Sequence, residues 1–254
     1  MESVAKLTEI RGKRERQTPV VSLVMPFYNP GPSLLPTVKE TISVVSDLAL
    51  PFEIIAVCDG STDGSDRELD SITDERFKLI RRTSNSGKGS AIRDGFALAK
   101  GDYVGFMDAD GDIDPKVLPI YLDILVDRDC DVLIGSKHHP DSKVSYPKLR
   151  RLYSFAYQRL VRGLFGISVT DTQVGLKFVK RSLYSSVAPS LKETGFVFDL
   201  ELLLALDQLD QGVKIVEAPV WIRPRVSSTI DLRAVAGIAK DTYRVYRRRR
   251  YIVR

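Results

Sequence analysis

The stretch Val104-Gly-Phe-Met-Asp-Ala-Asp-Gly-Asp112 is an apolar run that stops in three aspartates at alternate positions. An apolar run of this kind is typical of a buried strand, and open α/β sheets bind ligands at the carboxyl ends of their strands. Three neighbouring carboxylates repel one another unless a cation lies between them. Oxygen ligands on a short loop favour Mg2+ or Mn2+, which commonly bridge to a substrate phosphate. The stretch therefore predicts a metal-assisted site for a diphosphate-bearing substrate, in preference to a solvated acidic turn.

Strand-like runs alternate with helical patterns on both sides of this stretch. The other expected strands lie at residues 20–25, 52–58, 77–82, 131–136 and 214–221. This alternation predicts right-handed βαβ units and therefore an α/β fold with a mostly parallel, Rossmann-like sheet flanked by helices. We expect a polar segment at 1–18, a single catalytic domain at 19–230 and a basic amphipathic helix in 231–254.

Composition narrows the class of protein. Hydrophobic residues make up 43% and charged residues 28% of the 254 residues, which is ordinary for a globular domain and excludes a disordered chain. No apolar stretch reaches about 18 residues, and the polar N-terminus does not resemble a signal peptide. We therefore expect a cytoplasmic protein, and we expect Cys58 and Cys130 to be buried free thiols.

Polar clusters follow several of the expected strands, at Pro26–Asn29, Asp59–Asp63, Asn85–Lys88 and Asp108–Asp112. Because the carboxyl ends of parallel strands meet at one edge of a sheet, we expect these clusters to form one site. Asp59 either contacts a base or ribose or belongs to a plain strand-to-helix turn, whose N-cap Asp63 and Ser65 satisfy, so we expect Asp63 to be structural. Lys88, between two glycines at a helix start, is suited to a phosphate.

Two segments concentrate positive charge. Lys143 to Arg162 holds six Lys or Arg and no acid, and residues 231–254 hold eight Lys or Arg against two Asp. In the first segment Leu149, Leu152, Tyr153, Ala156, Leu160 and Leu164 share one face of a helix. That helix either contacts a membrane surface or packs normally on the sheet. For the C-terminal segment a membrane surface is favoured over nucleic acid, because the chain shows no nucleic-acid-binding fold.

Val21-to-Asn29, Asp59-Gly-Ser-Thr-Asp-Gly64, Asn85-x-Gly-Lys-Gly89 and Asp108-Ala-Asp110 together resemble the inverting family 2 glycosyltransferases of GT-A fold. Within that family, Gly135-to-Pro140 and Asp171-to-Lys177 look most like the polyprenyl- or dolichyl-phosphate glucosyltransferases and the dolichyl-phosphate mannose synthases. The resemblance covers about residues 20 to 230. It implies transfer of a hexose, with glucose favoured, from a nucleotide sugar to a polyprenyl or dolichyl phosphate.

The resemblance also implies a role for individual residues. It implies nucleotide contacts for Pro26, Tyr28, Asp59, Lys88, Arg93 and Asp108. It implies Mg2+ or Mn2+ ligation by Asp110 and Asp112, and catalytic roles for Asp110, Asp171 and Lys137. It implies sugar or acceptor contacts for Gln173, Lys137, Arg150, Arg151, Asp199 and Glu201. Because Ser227-Ser-Thr229 stands where relatives often carry Gly-Ser-Lys, diphosphate binding is expected to fall to Arg223 or Arg225.

The implied partners are a nucleotide sugar, a polyprenyl phosphate and the cytoplasmic face of a membrane, with no nucleic acid. A homo-oligomer or a membrane-embedded partner stays open. A phosphate acceptor is already an anion at neutral pH, whereas a hydroxyl acceptor would require a general base, for which Asp171 is the candidate. Three alternatives therefore stand beside the main prediction: a GDP-mannose donor, a sugar-hydroxyl acceptor, and a nonenzymatic nucleotide-binding or membrane-scaffold protein.

Overall fold

The computed structural model describes residues 20–48, 50–127, 130–144, 148–167, 169–209, 212–224 and 232–248, with the backbone alone for residues 127, 148–153 and 232–236. The strands of this part of the chain are β1 (Val21–Phe27), β2 (Phe52–Cys58), β3 (Phe77–Arg81), β4 (Tyr103–Met107), β5 (Val132–Ser136), β6 (Lys143–Val144), β7 (Leu176–Lys180), β8 (Ile215–Pro219) and β9 (Trp221–Ile222). The helices are α1 (Leu34–Ser46), α2 (Ser65–Glu68), α3 (Lys88–Leu98), α4 (Leu118–Asp127), α5 (Lys148–Phe165), α6 (Arg181–Val187), α7 (Phe198–Asp207) and α8 (Leu232–Arg248).

Seven of these strands form one sheet in the order β3-β2-β1-β4-β7-β5-β8. Neighbouring strands run parallel except β7, which is antiparallel to both β4 and β5. The short strands β6 and β9 pair separately. The predicted α/β fold, a mostly parallel sheet flanked by helices in a single domain, is confirmed.

The strands are apolar because helices cover both faces of the sheet. Every residue of β1 and of β2 is buried. One hydrophobic cluster packs α1 and α4 against one face of the sheet, and a second packs α3, α6 and α7 against the other. Parallel sheets buried on both faces read as continuous hydrophobic runs, which is why these strands were recognisable in the sequence.

The order in which the chain adds strands to the sheet reverses at β1, although β1 and β4 run parallel. From β1 the chain proceeds through β2 to β3 on one side, and β4 then lies on the other side of β1. The pairing of β1 with β4 ends at Val24. Pro26, which has no backbone N–H, therefore lies beyond the hydrogen bonds between these two strands. The carboxyl ends of β1 and β4 therefore separate, and such a reversal point is where open α/β sheets form their ligand crevice.

Candidate active site

A cavity of about 440 Å³ opens where β1 and β4 separate. We call it the β1–β4 cavity. Its walls are formed by Pro26, Phe27, Tyr28, Asn29, Pro30, Asp59, Asn85, Gly87, Lys88, Ala91, Asp108, Ala109, Asp110 and Phe196. Its volume is in the range of small-molecule sites. The polar clusters predicted to converge from four strand ends do meet there.

Four charged side chains of alternating sign extend from Asp108 and Lys88 in the cavity wall to the buried Asp199 and Lys177. Lys88 Nζ lies 2.7 Å from Asp108 Oδ1 and 3.8 Å from Asp199 Oδ2, and Lys177 Nζ lies 3.1 Å from the same Asp199 oxygen. Lys177 and Asp199 are almost fully buried. The cation beside Asp108 in this structure is thus the Lys88 ammonium. We call this group the lysine–aspartate chain.

The environment of these groups shifts their pKa values. Burial opposes the charge of Lys88, but the carboxylates of Asp108 and Asp199 outweigh burial and raise the pKa of Lys88. Burial raises the pKa of Asp108, and the Asp110 and Asp199 carboxylates add to that rise against the effect of Lys88. Burial lowers the pKa of Lys177, with Lys88 adding to the shift. The Lys88 cation is therefore strongly held at the cavity wall.

Asp108 is positioned by a close approach of β7. The Asp108 amide donates to the Gly175 carbonyl at 2.9 Å. A Cβ atom on Gly175 would lie 1.8 Å from Asp108 Oδ2, so only glycine lets the carboxylate occupy this position. Gly175 thus leaves the space that the carboxylate of Asp108, the residue after β4, occupies.

Asp110 and Asp112 lie in the turn that follows β4. Asp110 borders the β1–β4 cavity, and its Oδ1 accepts the Asp112 amide at 3.1 Å. Within the described ranges, no three His, Cys, Asp or Glu side chains are grouped as a preformed metal site. Mg2+ is usually held by one or two carboxylates together with substrate phosphates and water, so this donor pair fits an ion that arrives with a diphosphate.

Asp59 organises the turn that carries Lys88. Its two carboxylate oxygens accept the backbone N–H groups of Ser86 at 3.0 Å and Gly87 at 2.7 Å. Asp59 is buried yet borders the cavity. At the start of α2, Asp63 accepts the Ser65 amide and hydroxyl, which agrees with the structural role predicted for Asp63. The nucleotide contact of Asp59 stays a prediction.

The partly exposed Lys137 and the buried Asp171 form a second ion pair, beyond the end of β5. Lys137 Nζ lies 3.1 Å from Asp171 Oδ2, and the Asp171 carboxylate is fully buried. Its other oxygen accepts the Gln173 amide at 3.1 Å. The same loop is tied to α5 by His138, whose Nε2 lies 2.8 Å from Gln158 Oε1. The structure thus brings Asp171, Lys137 and Gln173 together, as predicted for one subsite.

Three predicted site residues have their side chains engaged outside the β1–β4 cavity. Arg93 donates to the Leu191 carbonyl, and Arg223 donates to the carboxylates of Glu40 and Asp114. Glu201 lies on α7 with Asp199, but its carboxylate accepts the backbone of residues 192 and 193. Arg225 and the side chains of Arg150 and Arg151 lie outside the described residues.

The face of α5 that packs on the protein differs from the predicted apolar face. Gln158 and Val161 are buried, whereas Ala156 and Leu160 are exposed, Leu160 to 48%. The neighbouring Phe155 is 51% exposed. The packed side contacts α8, where the Tyr157 hydroxyl lies 3.0 Å from the Thr242 hydroxyl. A membrane contact of α5 stays a prediction. Its exposed apolar side chains lie beside the exposed Arg159 and Arg162.

Two residues of the site were not predicted. Phe196 is 59% exposed and presents an aromatic ring at the cavity mouth. It belongs to none of the motifs found in the sequence. Lys177 had a usable signal, since it is a charged residue within the apolar run of β7. A buried charge inside a strand requires a partner, and here that partner is Asp199.

The fold and the β1–β4 cavity define an α/β protein with an acidic, lysine-lined site at the carboxyl edge of its sheet. A family model described as glycosyl transferase family 2 matches residues 22–187. The chain belongs to this family, which supports the prediction of a glycosyltransferase over that of a nonenzymatic protein.

Curated relatives extend the match over most of the chain. A dolichyl-phosphate beta-glucosyltransferase of Saccharomyces cerevisiae is 30% identical over 79% of this chain and 66% of its own length. Glycosyltransferase AglD of Haloferax volcanii is 26% identical over 89% of this chain, and an undecaprenyl-phosphate mannosyltransferase of Micrococcus luteus is 28% identical over 79%. The match covers 37% of AglD and 82% of the Micrococcus protein. The chain thus spans less than two thirds of the length of the first two relatives.

Among solved structures, glucosyl-3-phosphoglycerate synthase of Mycobacterium tuberculosis, in complex with Mn2+, UDP and phosphoglyceric acid, superposes with a TM-score of 0.72. The two chains are 18% identical, and the match covers 99% of this chain and 84% of the synthase. At this identity the likeness concerns the fold, and it agrees with the GT-A fold that the sequence predicts.

Proposed function

We propose that this glycosyltransferase transfers a hexose, with glucose favoured, from a nucleotide sugar to a polyprenyl or dolichyl phosphate, with inversion at the anomeric carbon. The observation that carries the proposal is the similarity to the yeast dolichyl-phosphate beta-glucosyltransferase, which extends over 79% of this chain. A GDP-mannose donor is the second candidate, and the similarity to the Micrococcus mannosyltransferase favours it.

The β1–β4 cavity would bind the nucleoside diphosphate of the donor. Tyr28 and Phe196, both about half exposed at its mouth, offer flat apolar surfaces for a base or ribose. Lys88 places a cation on the wall where a phosphate would lie. Asp110 and Asp112 would hold Mg2+ or Mn2+, which when bound supplies positive charge to the departing diphosphate.

The pair of Lys137 and Asp171 suits an acceptor that already carries charge. A phosphate monoester has a second pKa near 6, so at neutral pH it is a nucleophile that needs a cation more than a base. Both oxygens of Asp171 accept bonds from Lys137 or Gln173, an arrangement that holds the Lys137 ammonium in place. This arrangement favours a phosphate acceptor over a sugar hydroxyl.

A lipid acceptor requires access to a membrane surface. Within the part of the chain that the structure describes, no helix is both long and apolar enough to cross a membrane. We propose that α5 lies on the cytoplasmic face of the membrane. Its half-exposed Phe155 and Leu160 lie beside exposed arginines, which is the composition of an interfacial helix.

The proposal is tested with the variant Asp110→Asn in an assay that follows label from UDP-glucose into a polyprenyl phosphate. We expect at least a hundredfold loss of transfer, because the variant loses one of the two proposed metal-ligating carboxylates. Asp70→Asn, which alters an exposed aspartate paired with Arg81, serves as the matched control. Near-normal transfer by Asp110→Asn would contradict the assigned site.

A further inference from the structure

Two buried carboxylates lie between α7 and the C-terminal helix α8. The side chains of Glu193 and Glu201 are 3% and 0% exposed. Arg244 Nη1 lies 2.9 Å from Glu193 Oε2, and Arg248 Nη2 lies 3.2 Å from Glu193 Oε1. Arg248 also pairs with Glu201. We call these four residues the arginine clasp.

Among the described residues, the side chains of Arg244 and Arg248 are the cations that pair with these two carboxylates. Burial raises the pKa of Glu193, and Arg244 opposes that rise while Glu201 adds to it. Without the guanidinium groups, two like charges would share a desolvated site, which is strongly unfavourable. Loss of the clasp would therefore push residues 192–201 away from their present position.

The segment held by the clasp forms part of the wall of the β1–β4 cavity. Glu201 Oε2 accepts the backbone N–H groups of Lys192 at 2.9 Å and Glu193 at 2.7 Å. The next carbonyl, that of Thr194, accepts the Ser90 amide at 3.1 Å in the first turn of α3. Two residues later, Phe196 borders the cavity.

The turn that carries Lys88 is packed directly against this segment. Gly87 has φ +98°, and a Cβ there would lie 2.4 Å from the Thr194 carbonyl oxygen. The contact leaves no room between the turn and residues 193–195. A shift of that segment would consequently move both the Lys88 turn and Phe196.

The clasp uses one side of α8. Arg244 and Arg248 are four residues apart and so project from the same face of the helix. Val245 is fully buried, whereas Tyr243 and Arg247 are exposed. Among the described basic residues of α8, Arg244 and Arg248 bind the buried carboxylates, although the Arg244 side chain is itself 50% exposed, whereas Arg247 is exposed to solvent.

We propose that Arg244 and Arg248 are positioning residues of the nucleotide site, acting from the C-terminal helix through Glu193 and Glu201 on the cavity wall. This inference rests on the proposed binding of a nucleoside diphosphate in the β1–β4 cavity. It gives α8 a part in donor binding that is separate from any contact with a membrane.

The test measures the Kd of UDP and of GDP, with Mn2+ and without membranes, by isothermal titration calorimetry at 10 °C. We expect Arg248→Met and Arg244→Met to raise the Kd of the preferred nucleotide at least tenfold while circular dichroism shows a folded protein. Arg248→Lys should restore part of the affinity, because it returns the charge. Arg247→Met, an exposed arginine of the same helix, should stay within twofold of the wild type.

A double-mutant cycle separates positioning from general stability. The loss of nucleotide-binding free energy in the double variant Phe196→Ala/Arg248→Met should be smaller than the sum of the losses in the two single variants, because both residues act on the same wall. Wild-type affinity in both clasp variants would overturn the inference alone, and so would unfolding of both at 10 °C. A wild-type protein that binds neither nucleotide would contradict the proposed function itself.

Discussion

Replacing Lys177 with methionine tests the lysine–aspartate chain most sharply. The side chains of Lys177 and Asp199 are 3% and 2% exposed, and their charged atoms are 3.1 Å apart. In the variant, the Asp199 carboxylate keeps Lys88 at 3.8 Å, and its Oδ1 has no hydrogen-bond partner among the described residues. Removing one member of a buried ion pair typically costs about 3–5 kcal/mol, because the remaining charge is left buried. We expect a loss near the lower end of that range, since Lys88 remains nearby.

The assay is urea unfolding followed by far-UV circular dichroism at pH 7, with wild type, Lys177→Met and the double variant Lys177→Met/Asp199→Leu. Replacing both partners with apolar side chains of similar volume is often close to neutral, so the double variant should recover most of the lost free energy of unfolding. If Lys177→Met lost less than about 1 kcal/mol of the free energy of unfolding, the reasoning would be refuted. It would also be refuted if the double variant were less stable than Lys177→Met.

Three further predictions follow from other parts of the structure. Gly175→Ala should weaken binding of UDP or GDP at least tenfold in calorimetry, because its Cβ would displace the Asp108 carboxylate; unchanged affinity would contradict the close approach. Glu53→Gln should lower the Tm more at pH 7 than at pH 3. Bonds from Lys78, Ser22 and the Lys100 amide outweigh burial and lower the pKa of Glu53, so its stabilisation is present above about pH 4.5 and is lost as the pH falls; an equal Tm difference at both pH values would contradict this. Deleting residues 249–254, which leaves the clasp intact, should reduce cosedimentation with anionic liposomes in a salt-dependent way while leaving nucleotide affinity unchanged; unaltered liposome binding would remove the tail from the membrane contact.

The sheet was largely predictable from the sequence because its strands are buried on both faces. The continuous apolar runs of β1, β2 and β4 carry that signal without any tertiary information. The pairing of β7 could not be predicted in the same way. A run such as Leu176–Lys180 marks a strand, but nothing local to it specifies an antiparallel position between β4 and β5.

Residue type and spacing predicted the parts of the site that lie at strand ends. Asp108, Asp110 and Lys88 meet in one cavity because parallel strands end at the same edge. Glu201 shows where this reasoning stops. It lies two residues from Asp199 on α7, yet its partner Arg248 is 47 residues away on a helix whose docking the sequence does not encode locally.

The α5 helix shows a related limit. Apolar spacing identifies an amphipathic helix, but it does not say whether the apolar stripe faces the protein or something outside it. Here Val161 and Gln158 face inward and Leu160 does not. The hydrophobic period alone therefore predicts the helix but not which of its faces is buried.

The central claim is tested most directly by a side-by-side transfer assay with polyprenyl phosphate, Mg2+ or Mn2+, and radiolabelled UDP-glucose or GDP-mannose. We predict that label from one donor, with UDP-glucose favoured, enters the organic phase and that a chelator abolishes the transfer. Metal-dependent hydrolysis of a nucleotide sugar with no lipid-borne label from either donor would contradict the proposed acceptor.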